Sequence, residues 1–287
     1  MPAFRKRLEK KIRDFEVVVY DIDSNTENSE KLEAYLIGKI KNIKIRNRLT
    51  EYQEYLKVPN LKPEFIDKLQ ANILELANPK EHPIKHFDVR RSFITEFLSQ
   101  LLLERQYNCV FHEHADKRLN VDPVNIDKHT SGIDVTGIQI KGEPLKFAVC
   151  EVKASKSDIP CTETPKLLEE IKSSLDVDKK RLTREILSYC DKLIKNDNDD
   201  LFQDIVSFLL GILQETTDKN HVLKNVIFFP FLLRRHDDIV AKQDVSDYDV
   251  FASENFQNST ITGVIWAFND DIDSFCTTVW EKAVKVA

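Results

Sequence analysis

The sequence predicts an α/β (α+β) fold, in which a mixed β-sheet is flanked by helices and preceded by an N-terminal α/β extension. Two kinds of segment predict it. Runs of β-branched and aromatic residues at 15–22, 144–153 and 262–268 are typical of strands. Residues 89–105, and a longer stretch that begins at residue 164, carry apolar side chains at helical spacing. Strands that alternate with helices favour a sheet with helices packed on its faces.

Composition limits the classes of function. The 287 residues are enough for one large domain or two modest ones, and 41% hydrophobic with 31% charged residues is typical of a globular protein. The formal net charge of −6 argues against a surface coated in positive charge for nucleic acid. Basic residues still gather at 5–13, 39–48 and 179–184, and we interpret these runs as solvated helix faces. Contact with a polyanion would then be local or shared with a partner.

No feature of the sequence predicts a membrane or a disulfide framework. No apolar targeting segment follows the first residues, and the longest apolar segment, near 208–213, is far shorter than the about 20 residues that span a bilayer. The five cysteines are an odd number and include no C-x-x-C pair. We therefore expect a cytoplasmic protein with reduced cysteines and no membrane contact.

The first 85 residues are predicted to form the N-terminal α/β region, a candidate for partner binding. A strand at 15–22 is followed by a helix that Asn28 and Ser29 cap and that runs to about residue 40, and a second helix is predicted at 63–76. The proline-flanked segment 78–83 then breaks the pattern. We predict two domains, 1–85 and 86–287, although this segment is also compatible with a loop inside a single domain.

The second region carries most of the predicted elements. Its helix at 89–105 precedes a strand at 107–114 and a hairpin whose strands are separated by a tight turn. The elements predicted after residue 130 are strands at 133–141 and 144–153, a long helix from 164 with a break near 178, an apolar helix at 201–213, strands at 222–233 and 262–268, and a final helix at 271–286.

Chemically distinctive residues fall on the predicted hairpin. Asp134 follows Gly132 and Ile133, and Glu151 and Lys153 lie at the end of an otherwise apolar strand. Residues i and i+2 of a strand share a face, so Glu151 and Lys153 project together. Two carboxylates can bind Mg²⁺, which activates water and neutralises charge on a scissile phosphate, while a lysine can orient that water and stabilise the oxyanion. This set predicts a metal-dependent phosphodiesterase.

An E-x-K pattern alone is weak evidence, because alternating acidic and basic residues on an exposed strand form ordinary surface pairs. Here the charges end an apolar strand, where they are costly unless they are paired or bind a metal. A structural salt bridge, or an inactive core of the same shape, therefore stays as the alternative interpretation.

The order of helix, three strands, helix and strand around Asp134 and Glu151 resembles the core of the PD-(D/E)xK nuclease superfamily. The resemblance implies a restriction-endonuclease-like sheet with Asp134, Glu151 and Lys153 as catalytic residues. It also implies that Asp134 and Glu151 bind Mg²⁺ or Mn²⁺, and that Glu96 on the preceding helix is a further metal ligand.

At a finer level, Gly-Ile-Asp134 with Glu151-Val-Lys-Ala-Ser155, behind a variable α/β region, resembles the family of HamA, the nuclease subunit of the Hachiman anti-phage defence system, and the related protein AbpA. This resemblance implies a bacterial DNA endonuclease that is the effector of the system and forms a heterodimer with a superfamily 2 helicase (HamB-like) that controls it. Sixteen residues separate the two carboxylates, and Ile replaces Pro before Asp134. The alternative function is a non-catalytic nuclease-fold subunit that binds nucleic acid or the helicase.

Several other residues are weaker candidates. Arg90 and Arg91, at the start of a helix whose dipole disfavours cations, are predicted to contact a DNA backbone or another anion. His112 and His114 are interpreted as a surface pair rather than a metal site, and Cys150 as a core residue on the face opposite Glu151. The six glycines form no phosphate-binding fingerprint, so any ATP hydrolysis must come from a partner. Four further aspartates are interpreted as turn or cap residues: Asp21, Asp23, Asp270 and Asp271.

Overall fold

The computed structural model gives the chain an α/β architecture. It describes residues 2–13, 15–22, 26–41, 64, 68, 85–111, 133–140, 145–155, 163–176, 180–196, 200–216, 223–236, 238–251, 256 and 259–285. The strands are β1 (Phe4–Ile12), β2 (Phe15–Ile22), β3 (Cys109–Val110), β4 (Val135–Gln139), β5 (Lys146–Ser155), β6 (Val226–Arg235) and β7 (Thr260–Phe268). The helices are α1 (Thr26–Lys41), α2 (Lys85–Tyr107), α3 (Glu163–Leu175), α4 (Arg181–Asn196), α5 (Asp200–Thr216), α6 (Asp238–Phe251) and α7 (Ile272–Lys285).

The described strands form one seven-stranded mixed sheet in the order β1-β2-β7-β6-β5-β4-β3. Its central strands β2, β7, β6 and β5 are parallel to one another, whereas β1 at one edge and β4 and β3 at the other pair in antiparallel fashion. The predicted fold class, a mixed sheet flanked by helices, is confirmed. So is the predicted hairpin, in which Val135 pairs with Cys150.

The sheet separates two hydrophobic cores. Helices α1, α2 and α7 cover one face, and α3 to α6 cover the other. Strand β5 contributes side chains to both cores, because successive residues of a strand point to opposite faces of the sheet. Ala148, Cys150 and Val152 pack toward α2. Phe147 and Val149 pack toward α3. The alternation of β5 therefore directs Glu151 to the α3 face.

Strand β1 contradicts the interpretation of the basic run at 5–13 as a helix face. The run is an edge strand that pairs with β2, and most of its side chains are exposed. An edge strand has unpaired backbone groups, and charged side chains such as these discourage pairing with other chains. The apolar alternation that marks a strand is absent because neither face of β1 is fully covered.

The N-terminal hairpin joins the same sheet as the β4–β5 hairpin, since β2 pairs with β7. Helix α1 is present, but it begins at Thr26, so Asn28 and Ser29 lie inside its first turn and the prediction that they cap it was wrong. Most of the helix predicted at 63–76 lies outside the described residues, and the proposed boundary between residues 85 and 86 stays a prediction. Across the described part of the chain, no helix is both long and apolar enough to cross a bilayer.

Candidate active site

The β4–β5 hairpin brings Asp134, Glu151 and Lys153 together. Because Val135 pairs with Cys150 in antiparallel register, the preceding Asp134 lies opposite Glu151. The backbone N–H of Val152 donates a hydrogen bond of 2.8 Å to Oδ2 of Asp134, which fixes that carboxylate beside the strand. The three residues predicted from the sequence thus meet at one end of the hairpin.

Glu151 is a buried carboxylate with two donors. Its side chain is 2% exposed, and its Oε1 accepts hydrogen bonds of 3.1 Å from Oγ of Ser174 and from Nη2 of Arg181. Burial raises the pKa of Glu151 to about 8, and the negative charges of Asp134 and Glu170 act in the same direction. The charge of Arg181 and the hydrogen bond from Ser174 oppose this shift of the pKa without cancelling it. The site therefore holds more negative charge than its own cations balance.

Lys153 points from the same face of β5 toward helix α3. Its Nζ lies 2.9 Å from Oε1 of Glu170. Burial lowers the pKa of Lys153, but the hydrogen bond and charge of Glu170, helped by Asp134 and Glu151, raise it overall, so the ammonium group stays charged. An open pocket of about 410 Å³ adjoins Lys153, and its other lining residues, all on α3, are Glu163, Lys166, Glu169, Glu170 and Ser173.

The structure places Glu96 on a different element. It is buried on α2, the helix that packs on the sheet face opposite α3, and Oγ of Ser92 donates a hydrogen bond of 3.2 Å to its Oε1. Its neighbours Ile94, Phe97 and Leu98 belong to the core on that face. The assignment of Glu96 as a metal ligand stays a prediction.

The other candidates occupy different parts of the molecule. Nη1 of Arg91 lies 3.4 Å from Oδ1 of Asp273 on α7. Because α2 begins at Lys85, Arg91 lies in its second turn and not at its start as predicted. The side chain of Arg90, and the residues His112 and His114, lie outside the described part of the structure. Phosphate contacts by Arg90 and Arg91 stay predictions.

The predictions for Cys150 and for the aspartates can be compared with the structure. Cys150 is buried in the core beside α2, as predicted, and burial raises the pKa of its thiol. Oδ1 of Asp271 accepts a hydrogen bond of 2.7 Å from the backbone N–H of Ser274, which confirms a cap. The interpretation of Asp21 was wrong, because this residue lies within β2 and its carboxylate binds two arginines.

The donor set of the hairpin fits a divalent cation such as Mg²⁺. Asp134 and Glu151 provide hard oxygen ligands, and the pKa of Glu151 is raised by burial and by the charge of Asp134 beside it. Among the described residues, no three His, Cys, Asp or Glu side chains cluster as a metal site. Two carboxylates are compatible with Mg²⁺, which commonly binds through one or two carboxylates and takes further oxygens from water and substrate phosphate.

Sequence reasoning missed three residues around the hairpin: Glu170, Ser174 and Arg181. Arg181 belongs to the basic run at 179–184 that was interpreted as a solvated helix face, yet its side chain is only 20% exposed. Glu170 and Ser174 are four residues apart on α3 and so share a helix face, but this spacing does not indicate which strand that face meets.

Comparison with known proteins places the chain in a family. A family model described as HamA matches residues 4–274, which is nearly the full chain. The match includes the β4–β5 hairpin, α3 and α4. No curated protein matches the sequence significantly.

Proposed function

This chain belongs to the HamA family, and from that premise we propose that it is a Mg²⁺-dependent DNA endonuclease, the effector of a Hachiman anti-phage defence system, which acts in the cytoplasm. The observation that carries the proposal is the hairpin register, which sets Asp134 opposite the buried Glu151 with Lys153 on the same face. A surface salt bridge would not need a second carboxylate beside an almost fully buried one.

Each residue has a role that follows from its position. Asp134 and Glu151 would hold the metal, and the metal would activate water and neutralise charge on the scissile phosphate. Nζ of Lys153 carries a positive charge on the face of β5 that also presents Glu151. It can orient the attacking water by hydrogen bonding and stabilise the negative charge that develops on the phosphoryl oxygens.

A helicase partner is part of the proposal. The formal net charge of −6 disfavours strong binding of a polyanion by the isolated chain. A superfamily 2 helicase in a heterodimer with this chain would bring DNA to the site. The helicase would thus supply affinity for DNA that the isolated chain lacks, and it would control cleavage. Residues 1–85 are the candidate region for that contact.

The pairing of both charged β5 side chains also favours a second function. Glu151 binds Arg181, and Lys153 binds Glu170, as expected if the charges only stabilise the fold. In that case the chain would be a non-catalytic subunit that uses the nuclease fold to bind nucleic acid or the helicase.

The test is cleavage of supercoiled plasmid by the purified chain, alone and with the helicase encoded beside it, in Mg²⁺ and in EDTA. We expect nicking or linearisation in Mg²⁺ only, and its loss in the double variant Glu151→Ala/Lys153→Ala. The matched control is Glu163→Ala/Lys166→Ala, which also removes one carboxylate and one ammonium group, in this case an ion pair of 2.9 Å on α3. Cleavage that survives the first double change in a folded protein would exclude this site, and helicase binding without any cleavage would favour the non-catalytic function.

A further inference from the structure

We propose that Glu170, Ser174 and Arg181, here called the supporting group, position the reactive side chains of β5. Ser174 and Arg181 would set the orientation of Glu151 for the metal, and Glu170 would set the location of the Lys153 ammonium group. This inference rests on the proposed function and adds three residues to it. They come from α3 and the first turn of α4, whereas the site residues come from the hairpin.

The contacts of Glu151 give the first step. Both donors, Oγ of Ser174 and Nη2 of Arg181, bond the same oxygen, Oε1, at 3.1 Å, and they approach from two different helices. A carboxylate held at one oxygen by two donors cannot rotate freely about its terminal bond, and its second oxygen, Oε2, is the one that these donors leave for a metal. Hydrogen-bond partners of metal ligands typically change metal affinity or activity 10–100-fold.

The placement of Arg181 does not follow from local preference. Lys180, directly before it, adopts a φ of 52°, a left-handed conformation that is unfavourable for a residue with a side chain. Arg181 also lies in the first turn of α4, where the helix dipole disfavours a cation, and that turn contains no acidic residue. The contact with Glu151 contributes against both costs, which is consistent with a positioning role for this guanidinium.

The contact of Lys153 gives the second step. A lysine ammonium is a point charge on a flexible four-carbon stem, so its location is poorly defined without an anchor. Glu170 provides one at 2.9 Å, beside the open pocket. The Lys166–Glu163 pair borders the same pocket with the same separation of 2.9 Å, but both of its members lie on α3.

Charge compensation alone is the competing explanation. Arg181 could serve only to balance a buried carboxylate, and its removal would then lower stability without a specific effect on the metal. Arg181→Lys separates the two explanations, because it keeps the positive charge but loses the planar donor geometry of the guanidinium.

The first experiment measures Mn²⁺ binding to the full chain without DNA, by calorimetry. We expect Arg181→Lys, which keeps the positive charge but loses the planar donors, to weaken Mn²⁺ binding by about 10-fold, and Ser174→Ala, which changes no charge, to weaken it by less. Arg105→Ala, which changes an exposed arginine in the last turn of α2 on the other face of the sheet, is the control and should bind as the wild type does. Thermal unfolding of each variant checks that it is folded. Wild-type affinity in Arg181→Lys would overturn the role of Arg181.

The second experiment compares Glu170→Gln with Glu163→Gln. We expect Glu170→Gln to leave Mn²⁺ affinity unchanged and to lower kcat for plasmid cleavage by about 10-fold with little change in KM. Glu163→Gln should change neither. Equal effects of the two changes would overturn the role of Glu170. A wild type that binds Mn²⁺ but never cleaves DNA refutes the proposed nuclease while the Arg181 result still stands, whereas cleavage that is insensitive to Arg181 and Glu170 refutes only the supporting group.

Discussion

Two almost fully buried carboxylates lie on the same face of the sheet, on strands that run parallel to each other, and they behave in opposite ways. Asp21 of β2 and Glu151 of β5 both accept hydrogen bonds from arginine. Burial alone would raise the pKa of Asp21, but its hydrogen bonds to Arg5 and Arg7 lower it below the ordinary value. The pKa of Glu151 is raised to about 8.

The difference comes from how completely each charge is balanced. Arg5 donates through Nε and Nη2 to the two oxygens of Asp21, at 2.9 and 2.8 Å, and Arg7 donates a further bond to Oδ2. Glu151 has one arginine, and two other carboxylates raise its pKa further. A carboxylate with two arginines stabilises the fold, whereas one with an unbalanced charge is suited to binding a cation.

The largest expected difference between the two carboxylates is in activity. Glu151→Gln removes a proposed metal ligand, and we expect the rate of plasmid cleavage in Mg²⁺ to fall by about 1,000-fold. A loss of about 4 kcal/mol of transition-state stabilisation by the metal corresponds to this factor. Asp21→Asn should cleave as the wild type does when rates are measured per folded molecule. Equal losses in the two variants would show that the carboxylates do not differ in function.

Stability should change in the opposite order. Asp21→Asn loses charge-assisted hydrogen bonds from two arginines, and we expect the free energy of unfolding to fall by about 2 kcal/mol. Glu151→Gln removes a buried charge that the fold disfavours, so unfolding in EDTA at pH 8 should require about 1 kcal/mol more than in the wild type. Urea unfolding followed by circular dichroism measures both, and a large loss of stability in Glu151→Gln would contradict the comparison.

The pH dependence should differ in sign. Because the pKa of folded Glu151 is raised from 4.5 to about 8, the folded state binds more protons than the unfolded state between these values, and stability falls as pH rises through this window. The lowered pKa of Asp21 gives stability that is present above its unfolded pKa and lost as pH falls through the folded pKa. Unfolding in EDTA from pH 3 to pH 9 should show both slopes.

Each slope has its own control. Glu151→Gln should remove only the fall in the free energy of unfolding between about pH 4.5 and pH 8. Asp21→Asn should remove only the loss of stability at acidic pH. If stability still falls toward pH 8 in Glu151→Gln, the titration belongs to another group.

The smallest effect on stability is expected at an ion pair that is exposed to water, unlike the buried carboxylates Asp21 and Glu151. Lys6 and Glu9 on β1 form a 2.9 Å ion pair in which both side chains are about half exposed. Lys6→Ala should lower the free energy of unfolding by less than about 0.5 kcal/mol, since water screens such pairs. A loss as large as that in Asp21→Asn would mean that ion-pair length, rather than burial, decides the contribution.

Much of the fold could be predicted because buried elements carry periodic apolar residues. Strand β2 was predicted with its observed bounds, and the hairpin, α2, α3 and α7 were predicted to within a few residues. Helix α6 was missed, because its buried positions include the charged Asp244 together with Val245 and Tyr248, which form no clear apolar stripe. Pairing of β2 with β7 was not predictable, since periodicity carries no information about distant strand partners.

The site was predictable only where its residues are close in the sequence or joined by one hairpin. Alternation placed Glu151 and Lys153 on one face, and the turn placed Asp134 beside them. Glu170 and Arg181 reach the site through the packing of α3 and the turn at Lys180, neither of which a local pattern encodes. The buried pair of Arg234 with Asp244, 3.0 Å apart between β6 and α6, was missed for the same reason.

The pairing of β2 with β7 also concerns synthesis of the chain. Phe15 pairs with Ile261, so the N-terminal hairpin leaves the ribosome long before its parallel neighbour exists. Until then, the inner edge of β2 has unpaired backbone groups next to the apolar side chains Val17, Val18 and Val19, a surface prone to misassociation. Translation products that stop before β7 would keep that edge exposed even though the strands of the candidate site are complete. Chaperones and proteases would therefore meet such fragments as aggregation-prone chains.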